Sequence, residues 1–159
     1  MSKTKDWDNE SNEVKSNWLK WNVYGDKVIG TLVEKRQVKS TMPGKEGELV
    51  WVYDLKCDGG SFHEADDNKK VIEEPVVINA GDFYSIGGKA GIDAQMRNIK
   101  LGQKVGFKYI DETPSKTKGF APTKNIRVYA PKNDDGTYQM DEEWLAEQEK
   151  TANDGFGNL

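Results

Sequence analysis

The chain has one cysteine and one histidine among its 159 residues, and each scarcity excludes a class of site. A lone cysteine, Cys57, cannot form an intramolecular disulfide and is typical of a reducing compartment. One histidine and one cysteine are also too few for a structural zinc site. We therefore expect a cytoplasmic protein without a disulfide, a metal or a cofactor.

Long apolar runs are missing as well. No stretch approaches the roughly 18 apolar residues that a membrane span needs. The first 20 residues contain no apolar segment of the kind that a secretory signal requires. With 35% hydrophobic and 31% charged residues, the composition indicates a soluble protein of one domain.

Groups that could carry catalysis are few. His63 lies in a polar loop, and we expect it to be a solvated loop residue. The carboxylate pairs are adjacent in sequence, whereas metal-dependent chemistry needs carboxylates that converge from several elements. The glycine-rich run 87–91 places Ala90 where a Walker A loop needs a hydroxyl, so it predicts a turn into a helix. We predict that the protein is not an enzyme.

The net charge of −4 is unevenly distributed. Residues 132–159 contain two basic and eight acidic residues, a net charge of −6. Residues 89–127 contain nine basic and three acidic residues, a net charge of +6. Such asymmetry is typical of a protein with an electrostatic partner.

Alternating apolar residues predict strands through most of the chain, and one segment changes to a helical period. Ile92, Met96 and Ile99 are spaced as on one face of a short helix that ends by Gly102. The predicted elements are strands at 28–38 and 48–57, a third strand region made of two short runs at 75–79 and 82–86, the helix, and strands at 104–110 and 124–130.

The two ends of the chain differ from this middle part. Residues 1–17 have no period and predict a disordered arm, and residues 18–131 form the folded domain. Residues 132–159 form an acidic tail, in which Asp141 is a candidate N-cap for a short helix over 142–151.

Five strands with one helix between the third and fourth have the order of an OB fold. We therefore predict an all-β fold, a five-stranded OB-fold barrel with an acidic C-terminal tail. A small open β-meander with one helix would give the same pattern, so closure of the barrel stays open at this point.

Basic and aromatic residues interleave along these strands. Binding of single strands needs cations along the phosphates and aromatic rings under the bases. Trp51 and Tyr53 share a face with Leu49 and Leu55, so burial in the core is the alternative for both. We expect the ligand across strands two and three, between the loops 40–47 and 113–123. The candidate nucleic-acid-binding residues are Trp51, Tyr53, Lys56, Phe83, Tyr84, Lys89, Lys104, Lys108, Lys116, Lys118, Phe120 and Arg127.

Residues 22–159 resemble the phage-type single-stranded DNA-binding proteins of the OB class. The resemblance rests on the strand order, on the basic loop Lys116–Phe120 before the last strand, and on an acidic C-terminus that ends near an aromatic residue. It implies binding of single-stranded DNA or RNA in replication, recombination or repair, in a bacterial or phage-infected cell. It also implies a tail that recruits replication or recombination proteins through Trp144, Phe156 and Leu159.

The tail lacks the compact acidic and Pro-Phe ending of bacterial members, so the identity of its partner stays open. An alternative function is an interaction module that binds protein or carbohydrate through Trp18, Trp21 and Trp51. An exposed tryptophan cluster also permits a homodimer.

Overall fold

The computed structural model describes residues 17–40, 46–117 and 119–157, the last six as backbone only. Within these ranges the chain forms a sheet of six antiparallel strands and two helices, which confirms a β-rich fold with a helix at the predicted place. The predicted arm lies outside the described residues except for Asn17. The elements are β1 (Lys27–Lys39), β2 (Leu49–Phe62), β3 (Val76–Ile78), β4 (Phe83–Gly87), α1 (Ala90–Met96), β5 (Lys104–Thr113), β6 (Thr123–Tyr129) and α2 (Glu142–Gly157).

The strands follow the order β3-β2-β1-β5-β6, and β4 also pairs with β2. β1 is the central strand, because it pairs with β2 along nearly its whole length and with β5 from Lys27–Lys108 to Thr31–Lys104. The two runs of the predicted third strand region are two short strands, β3 and β4, and both pair with β2. The sheet is open, so the predicted closure into a barrel is not observed.

Two other segments occupy the edges where a closed sheet would pair β4 with β6. Along β4, the backbone N–H of Ser85 donates to the carbonyl of Asn17 (2.7 Å). Along β6, the side-chain amide of Gln95 in α1 donates to the carbonyl of Ile126 and accepts from the N–H of Val128, each at 2.9 Å. These bonds satisfy backbone groups that a closing strand would otherwise have used.

The core lies between the inner face of the sheet and α1. Ile92 and Met96 are each 1% exposed, because the apolar stripe of α1 faces the sheet. Cys57 is also in the core, where burial, with the nearby Asp82 and Asp58, raises the pKa of its thiol to about 12. A thiol that stays protonated is a poor nucleophile, so Cys57 is a packing residue. The largest fully buried side chains are Tyr109, Phe62, Phe107, Leu32, Leu55 and Ile86.

β2 is longer than the sequence predicts. The predicted strand ends at Cys57, whereas β2 continues to Phe62. The run Asp58-Gly59-Gly60 is a β-bulge and not a turn, because the β1–β2 register shifts there and leaves Asp58 as the extra residue. Gly60 has φ +146°, and a Cβ on it would lie 2.3 Å from a carbonyl oxygen of β1. In a sequence, glycines that allow two strands to approach closely therefore cannot be distinguished from glycines in a turn.

Asp141 caps α2, as predicted. Its carboxylate accepts hydrogen bonds from the backbone N–H of Trp144 (2.9 Å) and from the buried hydroxyl of Thr31 (2.7 Å). The helix begins at Glu142 and ends at Gly157, six residues beyond the predicted end. The cap therefore also joins the C-terminal segment to the centre of β1.

Backbone contacts hold the start of the C-terminal segment against β5. The N–H of Lys104 donates to the carbonyl of Gln139 (2.9 Å), and the N–H of Asp141 donates to the carbonyl of Gly102 (2.7 Å). The side chain of Leu145 covers Gly102 so closely that a Cβ there would lie 2.5 Å from it. The part of the tail around Asp141 is thus packed on the sheet.

Removing the Asp141 carboxylate should destabilise the protein. At pH 7, Asp141→Ala should lower the free energy of unfolding by about 2 kcal/mol, because an N-cap is lost and the Thr31 hydroxyl keeps no partner. Glu147→Ala, an exposed change in α2, is the control in urea denaturation.

This loss should depend on pH. Burial raises the pKa of Asp141, but the bonds from Thr31 and the Trp144 backbone and the charge of Lys104 outweigh it, so the pKa lies below its ordinary value. A lowered pKa in the folded state gives stability that is present above the unfolded pKa of about 3.9 and is lost on acidification. The difference between wild type and Asp141→Ala should narrow below about pH 4. A difference that widens there would contradict this account.

Candidate functional site

The outer face of β2 and β4, where the sequence predicts the ligand, carries charges of both signs. Arg36 forms an ion pair with Asp54 (2.9 Å), and Glu34 lies directly opposite Asp54 and is exposed. Lys56 lies opposite Phe83, which is 59% exposed. The acidic residues offset the basic ones on this face of the described strands, and a ligand across strands two and three stays a prediction.

Two of the predicted stacking residues point into the protein. Tyr53 is 3% exposed, and its hydroxyl donates to the carboxylate of Asp93 (2.6 Å). Burial and this bond raise the pKa of the phenol. Tyr84 is half-buried, with its ring edge-on to Phe62 at 5.7 Å between centroids. The prediction that Tyr53 stacks on a base is therefore wrong, and Tyr84 packs against the core.

Two predicted cations are engaged by the protein itself. The ammonium of Lys104 lies 2.8 Å from Asp58 and 3.8 Å from Asp141. The ammonium of Lys89 donates to the carbonyl of Lys124 (2.7 Å), and burial together with the charge of Lys124 lowers the pKa of Lys89. Both side chains bind groups of the fold, so neither is offered freely to a ligand.

A row of three cations crosses β1, β5 and β6 on the outer face. The strand register places Lys27 opposite Lys108, and Lys108 opposite Arg127. All three are exposed, and no residue in the described part of the chain forms an ion pair with them. Directly opposite residues have Cα atoms about 5 Å apart, so like charges in this arrangement are destabilising.

The next row on the same face is apolar. Ile29 lies opposite both Gly59 and Gly106, and Gly106 lies opposite Tyr129. Ile29 and Tyr129 are 40% and 44% exposed. The two rows are two residues apart along the strands, about 7 Å.

Much of this surface lines one open groove of about 540 Å³. It has a polar edge and an apolar floor on the four paired strands β2, β1, β5 and β6, and Arg127 lies just outside the part that encloses this volume. We define the cationic groove as the two rows together: Lys27, Lys108 and Arg127 with Ile29, Gly59, Gly106 and Tyr129.

The loop between β5 and β6 continues from the strands that carry Lys108 and Arg127. Phe120 is 71% exposed there, and Lys116 is also exposed. Lys118 lies outside the described residues. The β5–β6 hairpin thus contains four of the predicted residues. Lys108 and Arg127 lie on its strands, and Lys116 and Phe120 lie in its loop.

Trp51 has a different position. It is 39% exposed at the start of β2 and lines a pocket of about 330 Å³ beside α1, together with Lys35 and Arg97. None of the residues that line the cationic groove lines this pocket. Trp51 is therefore accessible, but it is not part of the groove.

The candidate residues from the sequence do not include five residues of the groove: Lys27, Ile29, Gly59, Gly106 and Tyr129. Lys27 lies just before the predicted start of the first strand, and Gly59 lies just after the predicted end of the second strand. The alternation within each strand would place Lys27 with Ile29 and Gly106 with Lys108. The pairing between the strands, which brings these residues together, has no signal in the sequence.

His63 is half-buried and hydrogen-bonded to the fold, whereas the sequence predicts a solvated loop residue. Its ring Nδ1 lies 2.7 Å from the carboxylate of Asp26, which is 2% exposed and also accepts from the backbone N–H groups of Asn22 and Val23. This contact fixes the turn that leads into β1 and the Lys27 position. In the described part of the chain, no three His, Cys, Asp or Glu side chains converge on a metal site.

The predicted partner residues are only partly described. Trp144 is half-buried in the first turn of α2. The side chain of Phe156 and all of Leu159 lie outside the described residues. The side chains from 146 to 151 are exposed, so this part of α2 faces solvent.

Comparison with protein-family models, with curated proteins and with solved structures finds no match for the chain. Neither helix in the described residues is long and apolar enough to cross a membrane.

Replacing Tyr53 by phenylalanine separates packing from ligand contact. Tyr53→Phe should lower the free energy of unfolding by about 1 kcal/mol, because Asp93 loses its hydrogen-bond donor. Affinity for single-stranded oligonucleotides should stay unchanged, because the ring is inside the core. Denaturation and oligo(dT) titration of the same sample test both statements. A loss of affinity without a loss of stability would indicate that Tyr53 contacts the ligand.

Proposed function

We propose that this protein binds single-stranded nucleic acid in the cationic groove, with single-stranded DNA as the expected ligand and without catalysis. The observation that carries the proposal is the row of three exposed cations, directly opposite one another, beside an exposed tyrosine. The row costs stability in the free protein, and an anion that bridges it relieves the repulsion. A polynucleotide supplies anions in series, and its affinity comes largely from such neutralisation.

The apolar row supplies what the bases need. Tyr129 offers an aromatic face next to the cations, and stacking of one base is worth about 1–3 kcal/mol without regard to its identity. Phe120 offers a second ring at the end of the same hairpin. In this arrangement the phosphates contact Lys27, Lys108 and Arg127, and the bases contact the neighbouring row. Neither kind of contact depends on the identity of the base, so binding should show little sequence preference.

The order of elements supports the same proposal. If β3 and β4 together are taken as a third strand, the pairing of the strands and the position of α1 correspond to the OB arrangement. We propose that the fold is of this type, with residues 17–21 and α1 filling the seam between β4 and β6. The exposed acidic part of α2 is then the arm for replication or recombination proteins.

The alternative interaction module is less well supported. Trp21 packs against the core, so Trp18, Trp21 and Trp51 do not form the contact patch that this alternative requires. A row of unpaired cations also has no function in binding an uncharged glycan.

Salt dependence tests the proposal. Lys27→Ala, Lys108→Ala and Arg127→Ala should each weaken binding of labelled oligo(dT). Each should also reduce the slope of log affinity against log salt by about 0.7, the loss of one phosphate contact on a single strand. The measurement is fluorescence anisotropy at several salt concentrations.

Lys39→Ala is the matched control, since Lys39 is an exposed lysine at the opposite end of β1. Its slope should equal that of the wild type. Equal slopes for all four variants and the wild type would overturn the assignment of phosphate contacts to this row.

A further inference from the structure

Two glycines lie at strand positions in the floor of the groove, where Gly59 is half-buried and Gly106 is buried beside Ile29 and Tyr129. Gly59 in β2 and Gly106 in β5 lie on either side of Ile29 in the sheet. A glycine inside a strand or helix costs roughly 0.5–1 kcal/mol relative to alanine, since it loses more freedom on folding. Such a residue marks a bulge, a bend or the close approach of another group.

The fold itself does not require these two glycines. Neither has a positive φ. A Cβ on Gly106 would lie 3.5 Å from its nearest neighbour, and a Cβ on Gly59 would lie 4.0 Å away, which are ordinary van der Waals distances. By contrast, a Cβ on Gly30 would lie 2.4 Å from a carbonyl oxygen, so there the backbone excludes any side chain.

We propose that Gly59 and Gly106 keep the floor of the groove bare so that planar rings of the ligand can lie against the sheet on either side of Ile29. This inference rests on the proposed function, in which the rings are unpaired bases of a single strand. The glycines are then specificity-determining residues, because they admit the flat face of a base that is not stacked within a duplex.

The dimensions of the groove agree with this assignment. Ile29 and Tyr129 are two strand spacings apart, about 10 Å between Cα atoms, with Gly106 between them. A ring over Gly106 therefore has Ile29 on one side and the Tyr129 phenol as a stacking partner on the other. The adjacent row offers Lys27 and Lys108 to the phosphates that flank it.

Substitutions that restore a side chain test the inference. Gly59→Ala and Gly106→Ala should leave the unfolding temperature unchanged or raise it, while weakening oligo(dT) binding. Gly106→Val should weaken binding by between about fivefold and about 150-fold, the loss of one stacked base.

Gly87→Ala in β4 is the matched control. Gly87 also lies in a strand with no positive φ and with no heavy atom within 4 Å of a Cβ, but it is outside the groove. This variant should gain the same stability with no change in affinity. A variant that keeps or gains stability but loses affinity, at Gly59 and Gly106 and not at Gly87, is the result expected for positions that are glycine because of the ligand.

The outcomes separate the two proposals. If Lys108→Ala weakens oligo(dT) binding but Gly106→Val and Gly59→Ala do not, the groove binds phosphates and the inference about the glycines is overturned. If the wild-type protein does not bind oligo(dT), the proposed function is overturned and the inference falls with it.

Discussion

The register of β1 against β5 and β6 is the constraint on which the rest of the structure depends. In this register Val28, Phe107 and Val128 lie opposite one another on the inner face, and the residues one place away, Lys27, Lys108 and Arg127, align on the outer face. A slip of one residue would exchange the two sets, and it would bury three cations. Formation of the core and alignment of the cations are therefore two consequences of the same pairing.

The groove concentrates features that cost stability. Like charges face one another there, and two strand positions, Gly59 and Gly106, are glycines although a Cβ would fit at each. Two other cations have acidic partners: Arg36 has Asp54, and Lys104 has Asp58 and Asp141. Locally unfavourable choices that gather on one face are typical of a functional site.

The sequence predicts the elements better than the site. Alternation and helical spacing place the strands and α1, and Asp141 is recognisable as an N-cap because capping is local. Tyr53 and Trp51 share a face of β2, yet one is buried and the other is 39% exposed, since Tyr53 faces the core while Trp51 lies at the end of the strand. The partners of Lys104 lie 46 and 37 residues away, so the sequence cannot show that this lysine is engaged. The basic character of residues 89–127 can be read from the sequence. The alignment of Lys108 with Lys27, however, depends on the pairing of β5 with β1.

The most direct test of the central claim is chemical-shift mapping of the ¹⁵N-labelled protein during titration with oligo(dT). We expect the largest shifts at 27–29, 106–108 and 127–129, on three strands that are distant in sequence and adjacent in the sheet. Shifts confined to the pocket of Lys35, Trp51 and Arg97, with none in the cationic groove, would contradict it.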